Sequence, residues 1–248
     1  MYLLVDAGNT RLKYMLSIDG GIGELAQCSN REFLERLAAF TDLKAIALAS
    51  VANDAFNEQI AQWAQQQQVN FILLETQAES FAIKNSYANY HTMGVDRWLA
   101  VVGAQWLYPH RNAIIIDSGT ATTVDVLSAN KQHLGGWIAP GIQLMANSLF
   151  SHTDKVFGEV SSVSRLAFGT STSDNVNFGV WSSAVGLVVQ AQRLCEQHQL
   201  TDPLLLFTGG NGAELNKLGD FNGAVIPDLV FHGIARFLRD SQHCEQLN

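Results

Sequence analysis

Hydrophobic residues occur along the chain in short blocks between glycine-rich or polar turns, and their spacing predicts alternating strands and helices. Uninterrupted apolar runs predict buried strands at Tyr2–Val5, Ala45–Val51, Phe71–Leu74, Ala113–Ile116 and Leu204–Phe207. Apolar residues three and four positions apart predict helices at Arg31–Phe40, Asn57–Gln67, Arg97–Leu107, Ile142–Leu149, Ser182–Gln197 and Asp228–Leu238. This alternation is typical of an α/β protein.

One segment of the chain is echoed almost half the chain later. Leu3–Thr10 aligns with Ile114–Thr120, and in both an apolar strand ends in Asp-x-Gly before a hydroxyl residue. A second strand is predicted after each turn, as in Leu12–Ile18. The echo predicts a duplicated architecture of two α/β lobes, residues 1–112 and 113–248, with the active cleft between them.

Composition and charge narrow the range of partners. The 248 residues carry 15 Lys and Arg against 23 Asp and Glu, a net charge of −8. Nucleic acids and anionic membranes bind basic surfaces, so neither is expected as the main partner. No apolar run approaches the roughly 20 residues of a membrane span, and the first residues lack the basic segment of a signal peptide. Three widely separated cysteines favour a reducing, cytoplasmic location.

The Asp-x-Gly turns are suited to binding phosphate. Glycine allows the backbone to approach a ligand closely, its neighbours donate N–H groups to phosphate oxygens, and an Asp can hold a cation. Lys13 adds a positive charge to the first hairpin, and Thr208–Gly212 is a third glycine-rich turn after a predicted strand. An ordinary tight turn would use the same residues for its own structure.

Gly94-Val95-Asp96-Arg97 is a second candidate site. Asp96 is suited to accept a hydroxyl proton during phosphoryl transfer, and Arg97 is suited to hold an anionic substrate. Alternatively, Asp96 is the N-cap of the following helix and Arg97 its first residue. The spacing alone leaves both interpretations open.

Four motifs, in their order along the chain, resemble the type III pantothenate kinase family. They are Asp6–Lys13, Gly94–Arg97, Asp117–Thr120 and the Gly-Gly-Trp-Ile-Ala-Pro-Gly segment Gly135–Gly141. The family belongs to the superfamily of acetate and sugar kinases, Hsp70 and actin. The resemblance therefore implies a duplicated ribonuclease H-like (actin-like ATPase) fold with a cleft between two lobes, in agreement with the internal echo.

The resemblance also implies a function, which is ATP-dependent phosphorylation of pantothenate to 4′-phosphopantothenate in the first step of coenzyme A synthesis. Asp6 would lie near the Mg²⁺ of the nucleotide, and Thr120 would contact ATP. Asp117 would bind a monovalent cation, K⁺ or NH₄⁺. The remaining residues of the first phosphate-binding motif are Ala7, Gly8, Asn9, Thr10, Arg11, Leu12 and Lys13.

On the pantothenate side, the resemblance makes Asp96 the general base. The substrate site would include Gly94, Val95 and Arg97 together with Tyr87, or alternatively the nearby Tyr90. Thr172 matches a substrate-contacting threonine that lies near the interface of a homodimer.

The residues alone leave three alternative functions open. One is a kinase of the same fold that acts on another small alcohol, and a second is a non-enzymatic, ATP-binding regulatory or accessory module. The third is a nuclease with Asp6, Asp117 and Asp125 as metal ligands. The acidic balance and the Asn9-Thr10-Lys13 side chains disfavour a nuclease.

Overall fold

The computed structural model describes residues 1–8, 11–18, 21–152 and 163–245, with side chains for all of these except 152 and 240–245. The strands are β1 Tyr2–Ala7, β2 Leu12–Ile18, β3 Gly21–Ile22, β4 Ala26–Cys28, β5 Ala45–Ser50, β6 Asn70–Leu74, β7 Glu79–Ser80, β8 Ile83–Lys84, β9 Ala113–Ser118, β10 Ala121–Leu127, β11 His133–Pro140, β12 Leu204–Thr208 and β13 Ala224–Val225. The helices are α1 Asn30–Arg36, α2 Asp54–Gln66, α3 Val95–Leu107, α4 Ile142–His152, α5 Thr172–Gln197, α6 Gly212–Leu218 and α7 Leu229–Glu245. Short 3₁₀ turns lie at Leu37–Ala39 and Tyr90–Thr92.

The chain forms two compact units, one of Met1–Pro109 with Asp228–Asn248 and one of His110–Pro227. The first boundary lies close to the predicted one, but the predicted second lobe, 113–248, included the C-terminal helix. That assignment differs from the structure because α7 packs on α3. Gly103 and Gly233 allow the close approach, since a Cβ on Gly103 would overlap the carbonyl oxygen of Leu229 and one on Gly233 that of Leu99.

The two units repeat one sheet topology. In the first, the strand order is β3-β2-β1-β5-β6, where β1 pairs antiparallel with β2 and parallel with β5. In the second, the order is β11-β10-β9-β12-β13, where β9 pairs antiparallel with β10 and parallel with β12. An antiparallel hairpin beside parallel strands thus occurs twice, which confirms the duplicated fold predicted from the echo.

Each sheet buries an apolar face under helices. Leu3, Val5, Ile46 and Leu48 of the first sheet form one core cluster with residues that include Ile60 of α2. Helix α1, in the same unit, begins with a capping box in which the Ser29 hydroxyl accepts the N–H of Glu32. In return, the Glu32 carboxylate accepts the backbone N–H of Ser29, and this hydrogen bond lowers the pKa of Glu32.

The core of the second unit lies between its sheet and helix α5. Ile114, Ile116 and Val124 of the sheet pack with Val180, Trp181 and Val188 of that helix. Helix α5 begins ten residues before the predicted start at Ser182. The early turns contain Ser, Thr, Asp and Asn, so apolar spacing does not reveal them. Among the described residues, no helix is both long and apolar enough to cross a membrane.

A buried polar pair joins β10 to β11 in the second unit. Nε2 of His133 lies 2.9 Å from Oδ1 of Asp125, and the side chains are 0% and 3% exposed. A β-bulge between Val126 and Leu127 brings His133 opposite Leu127 at this point of the ladder. Because neither side chain has access to water, each depends on protein partners to satisfy its polar atoms.

We expect Asp125→Ala to lower the free energy of unfolding by about 1–3 kcal/mol, because it removes a buried hydrogen-bond acceptor of the His133 imidazole. The matched control is Arg111→Ala, which removes the exposed ion pair between Arg111 Nη2 and Asp202 Oδ2 at 3.0 Å in the same unit. This control should cost less than about 1 kcal/mol. Urea denaturation measures both variants, and equal losses would contradict a structural role for the buried pair.

Candidate functional site

The first hairpin places a carboxylate and an amine on neighbouring strands. Asp6 on β1 lies directly opposite Lys13 on β2, and both residues are half-buried. The Gly8 N–H donates to the Arg11 carbonyl at 3.1 Å and closes the turn. Directly opposed residues project to the same face of a sheet, so Asp6 and Lys13 lie on one face of the hairpin.

The other residues of this motif differ in what they offer a ligand. Ala7 and Leu12 are buried in the core of the first unit, so they would contribute backbone groups only. Arg11 is exposed. The predicted phosphate contacts Asn9 and Thr10 lie outside the described residues.

The hairpin turn lies at the carboxyl edge of parallel strands. Asp6 is beside Ala49 and Ala7 beside Ser50 in the pairing of β1 with β5. The Val51 N–H donates to the Ala7 carbonyl at 3.0 Å and extends the pairing beyond the strand. The carboxyl ends of parallel strands are the usual ligand-binding edge of an α/β sheet.

The Gly94–Arg97 motif forms the start of α3. Gly94 is the N-cap without a side-chain cap, so the alternative with Asp96 as N-cap and Arg97 as first helical residue is wrong. Asp96 is half-buried, and its Oδ1 accepts the Arg97 N–H at 2.8 Å. A Cβ on Gly94 would lie 2.5 Å from that oxygen, so the glycine leaves the carboxylate its space. The carboxylate thus lies in the positive first turn of a helix.

Arg97 is buried and contacts one of the two candidate tyrosines. Its Nη1 donates to the hydroxyl of Tyr87 at 2.9 Å, and its Cζ lies 5.8 Å from the centre of that ring. Tyr90 instead lies against the imidazole of His91, with ring centres 4.0 Å apart. The structure therefore brings Tyr87, rather than Tyr90, into contact with Arg97 of the Gly94–Arg97 motif.

A polar cavity next to this motif was not predicted from the sequence. It measures about 330 Å³ and is lined by polar residues that follow β5 and β6, together with Gly94 and Val95. The Oδ1 atom of Asn57, also in the lining, is buried and has no hydrogen-bond partner among the described residues. Polar residues such as Asp54 and Thr76, placed after two predicted strands, were the available signal.

Asp117 lies in the second unit, where two of the predicted turns meet. On β9 it pairs with Thr123 of β10 and with Thr208 of β12, so the turn after Thr208 lies beside it. The Asn211 N–H donates to the Ser118 carbonyl at 2.8 Å and joins the two turns.

Gly209 is the closest part of this turn to the Asp117 carboxylate. Its φ is +81°, and a Cβ there would overlap Asp117 Oδ1 and approach the Ser118 carbonyl oxygen to 2.6 Å. A carboxylate oxygen and a carbonyl oxygen therefore adjoin one point, and hard cations prefer such oxygen ligands.

Thr120 and Thr172 also lie in the second unit. Thr120 is exposed and its carbonyl accepts the Gly141 N–H at 3.1 Å. Thr172 is the exposed first residue of α5, after the N-cap Ser171, whose hydroxyl accepts the Asp174 N–H at 3.1 Å. Thr172 lines a groove of about 610 Å³ with residues of α4.

The position of Asp125, the third carboxylate of the nuclease hypothesis, does not support that hypothesis. Asp125 is buried against His133. In the part of the chain that the structure describes, no group of three or more His, Cys, Asp or Glu side chains is arranged to hold a metal ion.

Solved structures share the fold at low sequence identity. MreB5 of Spiroplasma citri, solved with ADP, is 10% identical with a TM-score of 0.56, covering 100% of this chain and 98% of its own. The activator of 2-hydroxyisocaproyl-CoA dehydratase from Clostridium difficile, solved with ADPNP, is 14% identical with a TM-score of 0.55, covering 99% and 96%. Both confirm the actin-like fold.

Sequence comparison identifies the family. The profile described as type III pantothenate kinase matches residues 2–193. A type III pantothenate kinase of Colwellia psychrerythraea is 36% identical over 251 residues, which cover 96% of this chain and 100% of that protein. One from Nitrosococcus oceani is 31% identical over 253 residues, covering 97% and 95%. The profile match and these near full-length relatives show that the chain belongs to the type III pantothenate kinase family, as the resemblance of its four motifs implied.

Proposed function

We propose that this protein transfers the γ-phosphoryl group of ATP to the primary hydroxyl of pantothenate, forming 4′-phosphopantothenate and ADP in the first step of coenzyme A synthesis. Membership of the family is the observation that carries the proposal. The arrangement of Asp96, Arg97 and Tyr87 at the start of α3 supports it, because a carboxylate lies beside groups that bind anions and hydroxyls.

Asp96 is the proposed general base. The hydroxyl oxygen of pantothenate attacks the γ-phosphorus, its proton passes to the Asp96 carboxylate, and the bond between that phosphorus and the ADP oxygen breaks. Alignment and charge neutralisation dominate the catalysis of such a transfer. Gly94 and Val95 line the substrate site in this proposal, and Arg97 with Tyr87 holds the substrate in place.

The first hairpin is the proposed phosphate-binding motif for ATP. Lys13 and Arg11 supply positive charge, and Gly8 supplies a backbone that approaches the ligand closely. Asn9, Thr10, Ala7 and Leu12 complete the motif, and Thr120 of the second unit is a further proposed ATP contact. Asp6 would hold Mg²⁺, which neutralises charge on the phosphates when bound.

Asp117 is the proposed ligand of K⁺ or NH₄⁺. The adjoining oxygens of Asp117 and Ser118 support this proposal. A monovalent cation supplies charge without the strict octahedral shell that Mg²⁺ requires. The glycine at position 209 is what leaves room for it.

The proposed assembly is a homodimer formed through the groove between α4 and α5. Leu144 and Leu149 line the groove and are 51% and 42% exposed, and Ile138 on the adjacent β11 is 67% exposed. Exposed apolar side chains grouped in this way are typical of protein interfaces. Thr172 lies in the same groove, which supports its proposed place near the interface.

We expect Asp96→Asn to lower turnover by about 10²–10⁴-fold, the usual contribution of a general base, and to leave ATP binding nearly unchanged. ADP release measured with pantothenate, with sugars and without an acceptor checks both the variant and the activity itself. Wild-type release should require pantothenate.

The control for lost charge in a first helical turn is Glu32→Gln in α1, which should keep wild-type turnover. An Asp96→Asn variant that turns over normally but unfolds at lower temperature would limit Asp96 to stabilising α3. Activity with sugars in place of pantothenate would favour the kinase of another alcohol, and release independent of any acceptor would favour the accessory module.

Activity should depend on the identity of the monovalent cation through Asp117. At fixed ionic strength and saturating Mg-ATP, K⁺ and NH₄⁺ should support faster ADP release than the smaller Na⁺ or a bulky organic cation. Gly209→Ala and Asp117→Asn should both abolish this preference, because the first displaces the carboxylate and the second removes its charge.

The matched control is Gly210→Ala, where an added Cβ has no neighbour within 4 Å. This variant should keep the preference for K⁺. Equal rates in all four salts would refute the cation site, as would undiminished K⁺ activation in Asp117→Asn.

We expect Leu144→Glu to shift the protein from dimer to monomer, because it places a charge in an apolar interface. Sedimentation velocity over a range of concentrations measures the shift. Ile18→Glu, which replaces a residue that is 60% exposed on β2, should remain dimeric. A monomeric wild-type protein would contradict the proposed assembly.

A further inference from the structure

The chain that leads into α3 is fixed by a residue outside the Gly94–Arg97 motif. Thr76, just beyond the end of β6, is 6% exposed, and its hydroxyl donates to the Met93 carbonyl at 2.8 Å. Met93 is itself only 2% exposed and directly precedes Gly94. Both residues are nearly buried and border the polar cavity, so loss of the hydroxyl would remove the side-chain hydrogen bond that this carbonyl accepts.

The start of α3 has no side-chain cap, and the hydrogen bond from Thr76 restrains the residue just before it. Helices are usually fixed at this point by a Ser, Thr, Asp or Asn side chain at the N-cap. A Cβ at Gly94 would lie 2.5 Å from Asp96 Oδ1, so a side chain there would require the carboxylate to move. The restraint therefore acts one residue earlier, on Met93, and Thr76 supplies it from 17 positions away in the sequence.

Asn85 connects the same segment to the tyrosine of the site. Its Nδ2 lies 3.3 Å from the Gln77 carbonyl and 3.4 Å from the Met93 sulfur. Its Oδ1 accepts the Tyr87 N–H at 3.0 Å. The chain after β6 thus supports both Met93, which precedes the motif, and Tyr87, which contacts Arg97.

We propose that Thr76 is a positioning residue for pantothenate phosphorylation. Its hydroxyl fixes where Gly94 enters α3, and thereby where the Asp96 carboxylate and the Arg97 guanidinium meet the substrate. This inference rests on the proposed function of Gly94–Arg97. Because phosphoryl transfer requires close alignment, a displacement of about 1 Å at the base costs about 10²-fold in rate.

The test is Thr76→Val, which keeps the shape of the side chain and removes its hydroxyl. We expect kcat/KM for pantothenate to fall about 10–100-fold, while KM for ATP stays within about twofold of wild type. Thr76→Ser retains the donor and should restore most of the loss. If Thr76→Val does not yield folded protein, Thr76→Ala carries the same expectation.

Two further variants separate the possible failures. Ile60→Val, in the core of the same unit, should lower the melting temperature by a modest amount without changing either kinetic parameter. The inference is overturned if Thr76→Val behaves like Ile60→Val, or if Thr76→Ser is as impaired as Thr76→Val. It is also overturned if KM for ATP rises by as large a factor as kcat/KM for pantothenate falls. Wild-type turnover by Asp96→Asn would instead refute the proposed base, so the two failures are distinct.

Discussion

In each unit, a strand of the first hairpin pairs in parallel with a strand from a distant part of the chain, and this pairing positions the candidate residues at the strand ends. Parallel strands end at the same edge, so the turns that follow them are neighbours whatever their separation in sequence. The pairing of β9 with β12 brings the turn at Gly209 to Asp117. The pairing of β1 with β5 likewise joins Ala7 to Val51. The functional geometry is a consequence of sheet register.

Two glycines show how closely the backbone is adapted to carboxylates. At Gly209, a positive φ and the nearby Asp117 oxygen both exclude a side chain. At Gly94, the excluded side chain would be the N-cap that helices ordinarily use, and Asp96 occupies that space. Helix α3 therefore has no N-cap side chain, and its first turn accommodates the Asp96 carboxylate instead. A buried hydrogen bond from Thr76 to the preceding residue then holds the chain in place.

Local sequence signals were sufficient to predict the strands and hairpins that occur in both units. The Asp-x-Gly echo and the uninterrupted apolar runs predicted the paired hairpins and the duplicated topology, because buried strands leave a strong pattern. The hairpin of β7 and β8 was missed, since its turn places Phe81 and Ala82 at φ of 55° and 62° without a glycine or asparagine. Packing supports this turn, with the rings of Phe81 and Phe237 4.9 Å apart. A contact between such distant residues leaves no local signal.

The same distinction explains which parts of the candidate site could be predicted. Asp96 and Arg97 stand in a recognisable motif, whereas Thr76 and Asn85 act through atoms that only the folded chain brings together.

The attraction of an anionic substrate likewise depends on which charged groups the folded chain brings together. A chain with a net charge of −8 would repel an anionic substrate at long range, so attraction must come from groups concentrated where the substrate binds. A guanidinium that is buried is attracted more strongly to an anion than an exposed one, because less water screens it. In the proposed site, burial of Arg97 against Tyr87 would therefore strengthen anion binding, and the Asn85 side chain, which accepts the Tyr87 N–H, would contribute to this arrangement without carrying charge itself.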